Sequence, residues 1–410
     1  MIFVFYALAA VLIWISAKSF LGGIRYLQYF KTELAKPRPE FTPFVSLIVP
    51  CRGVDQGLPD NLRAFFDQDY PAFELIFVID KAADASAEII EEISRINTQV
   101  STGSGSDLGG TSTQLIIAPK ATTSGQKVEN LREAVLHVSD ESQVFVFADS
   151  DARPSGDWLR YLVAPLQDEA IGAATGYRWF ISKTPTFASE MRSVWNASIA
   201  SALGPDSGSN FCWGGSTAIR RQIFERLEIR EKWRGTLSDD FTLSHAVNGA
   251  GLPIIFVPQA LTASVEDSTF HELLEFTTRQ MKITRVYATP LWVMSLVGTG
   301  LFNIVMIAAF LIVILSRQNG LAVYISLATL ALVTFFSIGK AWLRLKAASL
   351  ALTSYKSEVA RQFWTQNTLW LISPALFFYN SVAALLSRRL TWRGITYELK
   401  SPRETVIITD

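Results

Sequence analysis

Charge-free apolar runs near both ends of the chain constrain it more than any other feature. Residues 1–17 carry no charged side chain, which is at the lower limit for crossing a hydrocarbon layer of about 30 Å as a helix. Lys18, Arg25, Lys31, Lys36 and Arg38 all follow this run, and no basic segment precedes it. That order is expected of a retained anchor rather than a cleaved signal, and it places the next segment in the cytoplasm. Leu291 to Ser316 and Leu321 to Gly339 are again uncharged, with Arg317, Gln318, Asn319 and Gly320 between them as a short turn. They read as a hairpin of two spans. Lys340, Arg344, Lys346, Lys356 and Arg361 make the next loop basic, hence cytoplasmic. A third run, Leu369 to Ser387, is interrupted by Pro374 and followed by Arg388, Arg389 and Arg393. A full crossing would put that basic tail outside, so either the positive-inside rule fails here or the run is re-entrant or interfacial.

Composition agrees with a membrane protein. Charged residues are 18% of the chain and hydrophobic ones 49%, whereas about a quarter charged is usual in soluble proteins. With 37 basic against 37 acidic residues there is no basic surplus for nucleic acid, which is not an expected partner. The two cysteines, Cys51 and Cys212, are far apart and offer neither a disulfide framework nor zinc-ligand spacing.

Between the apolar ends, residues 44–270 read as an α/β domain with a mostly parallel sheet. Phe44 to Pro50, Glu74 to Asp80, Gln114 to Ala118 and Val144 to Ala148 are short apolar runs rich in β-formers, with a helical pattern at Asn61 to Asp69. Strands alternating with helices imply βαβ units and a ligand site beyond the carboxyl ends of the strands. Residues 101–113 have too little apolar content to pack and read as a mobile surface loop. The remaining organisation follows: an anchor over 1–30, a segment at 271–290 leading into the membrane, membrane helices over 291–390 and a tail over 391–410.

Acids stand at the strand ends. Asp149-Ser150-Asp151 can present two carboxylates to one hard divalent cation, leaving positions open for phosphate oxygens; the alternative is a solvated turn or a helix cap before Pro154. Asp80 can accept hydrogen bonds from a base or ribose, or be a plain turn residue. Ser238-Asp239-Asp240 precedes an apolar-periodic stretch, so Ser238 can cap a helix whose dipole the two acids complement. An acid there that faces a pocket can also act as general base. Arg279 and Lys282 lie three apart on a helix, suited to a diphosphate or to anionic headgroups. Phe270, Leu273, Leu274 and Phe276 suit an interfacial helix or ordinary packing on the domain.

In order, these residues resemble the family 2 glycosyltransferases with a GT-A fold, most closely the membrane-bound ceramide glucosyltransferase type. Val45 to Gly53, with Pro50, Arg52 and Gly53, is similar to the first nucleotide-binding strand, and Phe65 to Pro71 to the segment after it. Asp80 matches the first family aspartate. Lys127-Val128-Glu129-Asn130-Leu131 resembles the Lys-x-x-Asn-Leu segment near the nucleotide sugar, and Asp149 with Asp151 the metal-binding aspartate. Trp213, Gly214 and Gly215 resemble the acceptor-side turn, and Asp239-Asp240 the Glu-Asp pair whose second acid is the base. Arg279-Gln280-Met281-Lys282-Ile283 stands where the family has (Gln/Arg)-x-x-Arg-Trp. Lys for Arg loses a bidentate fork, and Ile for Trp removes a flat stacking surface.

The resemblance implies an integral protein of a bacterial inner or plasma membrane with a cytoplasmic catalytic domain. It implies inverting transfer of a hexose from a UDP-sugar to a lipid acceptor in the bilayer, assisted by Mg2+ or Mn2+. Asp240 is the expected base and Asp239 its support. The rival readings are a processive polysaccharide synthase and a non-catalytic nucleotide-sugar-binding scaffold.

Overall fold

The computed structural model describes residues 2–103, 111–315 and 320–409. The core sheet has seven strands: β1 (Val45–Pro50), β2 (Phe73–Ile79), β3 (Ser112–Ile117), β4 (Val144–Ala148), β5 (Ala173–Ile181), β6 (Ser216–Arg220) and β7 (Ile254–Val265), in spatial order β3-β2-β1-β4-β6-β5-β7. Every residue of β1, β2 and β4 is buried. This is why these strands are mostly apolar, a parallel sheet covered on both faces having no polar side; the buried exceptions, Ser46 and Glu74, hydrogen-bond each other across β1 and β2. β6 is antiparallel to β4 and β5, while β5 and β7 run parallel.

The chain winds from β1 outward through β2 to β3 and then returns to place β4 on the other side of β1. The direction of winding reverses there, opening a crevice beyond the carboxyl ends of β1 and β4. Arg52 and the Asp149-Ser150-Asp151 turn follow those two ends directly. The helix expected at Asn61 to Asp69 runs from Leu58 to Phe66. Residues 104–110 of the polar stretch lie outside the described residues; residues 101–103 extend the helix Ser86–Gly103, and Ser112 and Thr113 open β3.

Among the described residues three helices are long and apolar enough to cross a membrane: Ile2–Leu34, Thr289–Leu315 and Gly320–Ala351. Residues 317–319 of the expected turn lie outside the described residues, and Gly320 already belongs to the helix after it. The first and third of these helices are longer than their apolar cores because their ends dock on the α/β domain. Tyr26, Leu27 and Phe30 share one buried cluster with Leu343, Leu345, Ala347 and Phe256, and Tyr29 Oη donates to the Phe256 carbonyl at 2.6 Å. Gly339 lets the two helices approach: a Cβ there would overlap the Phe20 ring.

The third apolar run forms two helical pieces, Phe363–Leu371 and Ser373–Leu386, bent by 57°. The chain before the bend, at Val359, packs into the main core. The chain after it, at Leu390, packs against Leu237 and Tyr287 of the α/β side. Both ends therefore pack against the α/β domain. The basic residues Arg388 and Arg389 then stand on the same side of the molecule as Lys31 and Arg25, the side of the α/β domain.

Residues 391–409, expected as a tail, are folded, and residue 410 lies outside the described residues. β8 (Arg389–Trp392), β9 (Ile395–Ser401) and β10 (Glu404–Thr409) form an antiparallel sheet. Its alternate residues Leu390, Ile395, Tyr397 and Leu399 are buried against Leu237, Ile283 and Tyr287. The period-two pattern of Ile395, Tyr397 and Leu399 is the sequence signal for it.

Candidate active site

Two cavities of about 430 Å³ each open at the crevice. The first, polar one is lined by the expected residues Pro50, Arg52, Lys127, Asn130, Asp149, Asp151 and Arg279. The second is lined by Trp213, Gly214, Asp239 and Asp240 together with Trp195, Leu291, Ser295 and Phe377. Lys127, Asp149, Arg178, Phe276, Arg279 and Trp392 face both, so any group passing from one cavity to the other meets these side chains.

The shared wall is a chain of opposite charges. Lys127 Nζ is 2.7 Å from Asp149 Oδ1 and 3.2 Å from Asp239 Oδ1. Arg178 Nη1 is 2.9 Å from Asp151 Oδ2, and its Nη2 is 3.4 Å from Asp149 Oδ2. Burial alone would lower Lys127 and Arg178, but the facing carboxylates outweigh it and hold both cations above their ordinary range. Burial would likewise raise Asp149, yet Lys127 and Arg178 keep it below the usual carboxylate range. Asp239 ends differently. Its burial, reinforced by Asp240 and Asp149, pushes it up to about 6 against the pull of Lys127.

Glycine is required at this wall by proximity rather than by backbone angle. A Cβ on Gly214 would overlap Asp239 and Lys127, and one on Gly215 would overlap the Trp213 ring. The Ser238 cap reading holds: its Oγ accepts from Phe241 N at 3.3 Å and donates to Asp240 Oδ1. Asp240 Oδ1 also accepts from Phe241 N at 2.8 Å. The cap thus fixes the carboxylate plane through one oxygen while Asp240 lines the second cavity.

Asp149 and Asp151 turn a carboxylate oxygen toward one cationic centre, the Arg178 guanidinium, and Asp151 Oδ1 is buried with no hydrogen-bond partner among the described residues. Two converging hard oxygens and an unsatisfied one fit a divalent cation. Among the described residues no group of three or more His, Cys, Asp or Glu converges, so the other positions would fall to water and phosphate oxygens, the usual pattern for Mg2+.

Three expected residues stand apart. Asp80 lines neither cavity; it is ion-paired with Arg52, its side chain 7% exposed. Gly53, at φ +68°, donates its N–H to Asp84 at 2.9 Å. Lys282 points away from both cavities and donates to the Arg389 carbonyl at 2.5 Å; burial lowers its pKa. Arg279 remains in the wall, lowered to about 10 by burial, with Trp392 and Phe276 at 5.5 and 5.6 Å. Of the hydrophobic residues ahead of it, Leu273 is buried against Ala188, Met191 and Val194, Phe276 meets Phe180 and Trp195 edge-on, and Phe270 is exposed. Packing on the domain accounts for the first two.

Sequence reasoning missed Arg178, Arg192, Glu266, Trp392 and Arg393, all of which line the polar cavity. Arg178 had a signal, since a lone cation inside the apolar strand Ala173–Ile181 must have a buried partner.

A segment of 77 residues is 29% identical to a ceramide glucosyltransferase of Komagataella phaffii, spanning 19% of this chain and 15% of that relative. Among solved structures, a mannosyltransferase from Pyrobaculum calidifontis in complex with GDP-Man and Mn2+ is 18% identical, covering 93% of this chain and 98% of its own, with a TM-score of 0.46. Glucosyl-3-phosphoglycerate synthase from Mycobacterium tuberculosis, in complex with Mn2+ and UDP-Glc, is 16% identical, covering 63% and 82%, with a TM-score of 0.35. The model of glycosyl transferase family 21 matches residues 11–405, and the chain belongs to that family.

Proposed function

We propose that this glycosyltransferase moves a hexose from a UDP-sugar to the hydroxyl of a membrane lipid, with inversion and with a divalent metal. The observation that carries the reading is the make-up of the second cavity. It is lined by Asp239 and Asp240 and equally by Leu291 and Ser295 of the apolar helix Thr289–Leu315 and Phe377 of the bent segment. An amphiphile can leave its chain among those apolar residues and bring a hydroxyl to the carboxylates. The segment shared with a ceramide glucosyltransferase supports the same class of acceptor.

In the displacement, Asp240 takes the proton of the acceptor hydroxyl. The acceptor oxygen forms a bond to the anomeric carbon on the face opposite the diphosphate. The bond from that carbon to the β-phosphate oxygen breaks, and its electron pair leaves on UDP. Lys127 and Arg279, at the join of the two cavities, stabilise the charge growing on the leaving group. Asp149 and Asp151 would hold the metal, which supplies Lewis-acid charge neutralisation when bound. Asp239, 3.2 Å from Lys127 Nζ, holds that cation beside the base.

The test is purified full-length protein in detergent with Mn2+, a panel of UDP-sugars and a mixed lipid extract. One UDP-sugar should yield UDP and a hexosyl-lipid together. UDP release with no lipid product would refute the acceptor assignment, and no release from any UDP-sugar would refute the donor.

A further inference from the structure

We propose that the Trp392–Arg393 turn of the C-terminal sheet is part of the donor site, Arg393 binding the nucleoside diphosphate in exchange for Asp55 and Trp392 bearing on the transferred hexose. This rests on the donor reading above and names residues that it leaves out.

Trp392 pairs with Ile395 across a two-residue hairpin loop, Arg393-Gly394. Both loop residues have positive φ, +53° and +84°, as the tight hairpin turn requires. Glycine adopts this freely; arginine does so under strain. Strain of this kind persists where the surroundings hold the residue for another purpose. The surroundings here are the polar cavity, which Trp392, Arg393 and Tyr397 all line.

Arg393 is ion-paired within the cavity wall. Its guanidinium makes a bidentate pair with Asp55, with Nη2 to Oδ2 at 2.6 Å, on a cavity wall where a planar cationic fork matches a phosphate as well as it matches a carboxylate. Its carbonyl accepts from Arg52 Nε at 3.2 Å, linking the turn to the residue that follows β1. Trp392 faces both cavities, and its ring lies 5.5 Å from the Arg279 guanidinium. A flat aromatic at the join is placed where the sugar must sit during transfer.

The same sheet explains the departure at Lys282 and Ile283. Lys282 binds the Arg389 carbonyl, and Ile283 is buried with Leu390, Ile395 and Tyr397. These two positions dock the sheet, and the sheet returns a tryptophan and an arginine to the cavity.

The experiment is calorimetric titration of UDP, with Mn2+ present, into full-length wild type, Arg393→Ala and Asp55→Asn, with thermal unfolding as a check on folding. The expected result is a Kd at least fivefold higher for Arg393→Ala and unchanged or lower for Asp55→Asn, which frees the arginine. A change under fivefold for Arg393→Ala would overturn the inference. So would equal weakening by both variants, because the pair would then be only a strut. In the transfer assay, Trp392→Ala should lower kcat at least fivefold with UDP affinity kept, and Trp392→Phe should restore most of it; an unchanged kcat overturns the tryptophan role. If wild type itself fails to bind UDP, the donor reading falls, which is a separate result.

Discussion

Replacing Lys127 by methionine tests the electrostatics of the wall between the cavities. The ammonium stands 2.7 Å from Asp149 and 3.2 Å from Asp239. At an effective dielectric of about 20 these contacts are worth roughly 6 and 5 kcal/mol before desolvation. Desolvation offsets most of that, and removing one partner of a buried pair costs about 3–5 kcal/mol. If about half falls on Asp239, roughly 2 kcal/mol is more than one pKa unit. Burial already pushes Asp239 up to about 6, and Lys127 is the charge that restrains it. The folded-state value lies above that of the unfolded chain, so the carboxyl is neutral below about 6 and ionises as pH rises through that range. Transfer that needs ionised Asp239 therefore gains activity with rising pH. In wild type the acid limb of kcat/KM should lie near pH 6, and in Lys127→Met it should move above pH 7, with the rate partly recovered at pH 8.5. The assay is UDP release from pH 5 to 9 at saturating Mn2+. An acid limb at the same pH in both proteins would refute the coupling.

Other substitutions separate the roles. Asp240→Asn keeps an oxygen for the Phe241 N–H and should lower kcat by about 10²- to 10⁴-fold with donor KM little changed; turnover within tenfold of wild type would remove Asp240 as base. Asp149→Ala should abolish the Mn2+ dependence of UDP binding measured by calorimetry, and unchanged affinity would refute its metal role. Lys282→Ala should change UDP affinity less than threefold, because the ammonium faces a backbone carbonyl outside the cavities; a tenfold loss would return Lys282 to the donor site.

Much of this architecture is legible from residues alone. β1, β2 and β4 are buried on both faces, so their sequences are mostly apolar, and the acids after β2 and β4 mark where those strands stop. The placement of Asp149 and Asp151 at a strand end, and of Asp239 and Asp240 behind a capping serine, is legible in this way. What resisted reading depends on contacts between distant segments. β5 lies beside β6 and β7 through pairings no local pattern encodes, so Arg178 could be suspected as a buried charge but not placed against Asp149. Trp392 and Arg393 follow the last apolar run, more than a hundred residues after Arg279, and only the docking of Leu390, Ile395 and Tyr397 brings them back. Lys282 failed for a geometric reason. Residues three apart on a helix are about 60° apart around its axis, enough for Arg279 to face the cavity while Lys282 reaches the sheet edge. The third apolar run could not be assigned by hydropathy because its sidedness is set by where its two ends pack.

The most direct measurement of the central claim is mass spectrometry of the lipid extract from a host that makes no glycolipids, expressing either the wild type or Asp240→Asn. The account predicts a new lipid heavier by one hexose in the wild type and none in the variant. An unchanged lipid profile in cells that contain folded protein, or a glycan polymer without a lipid of this kind, would contradict it.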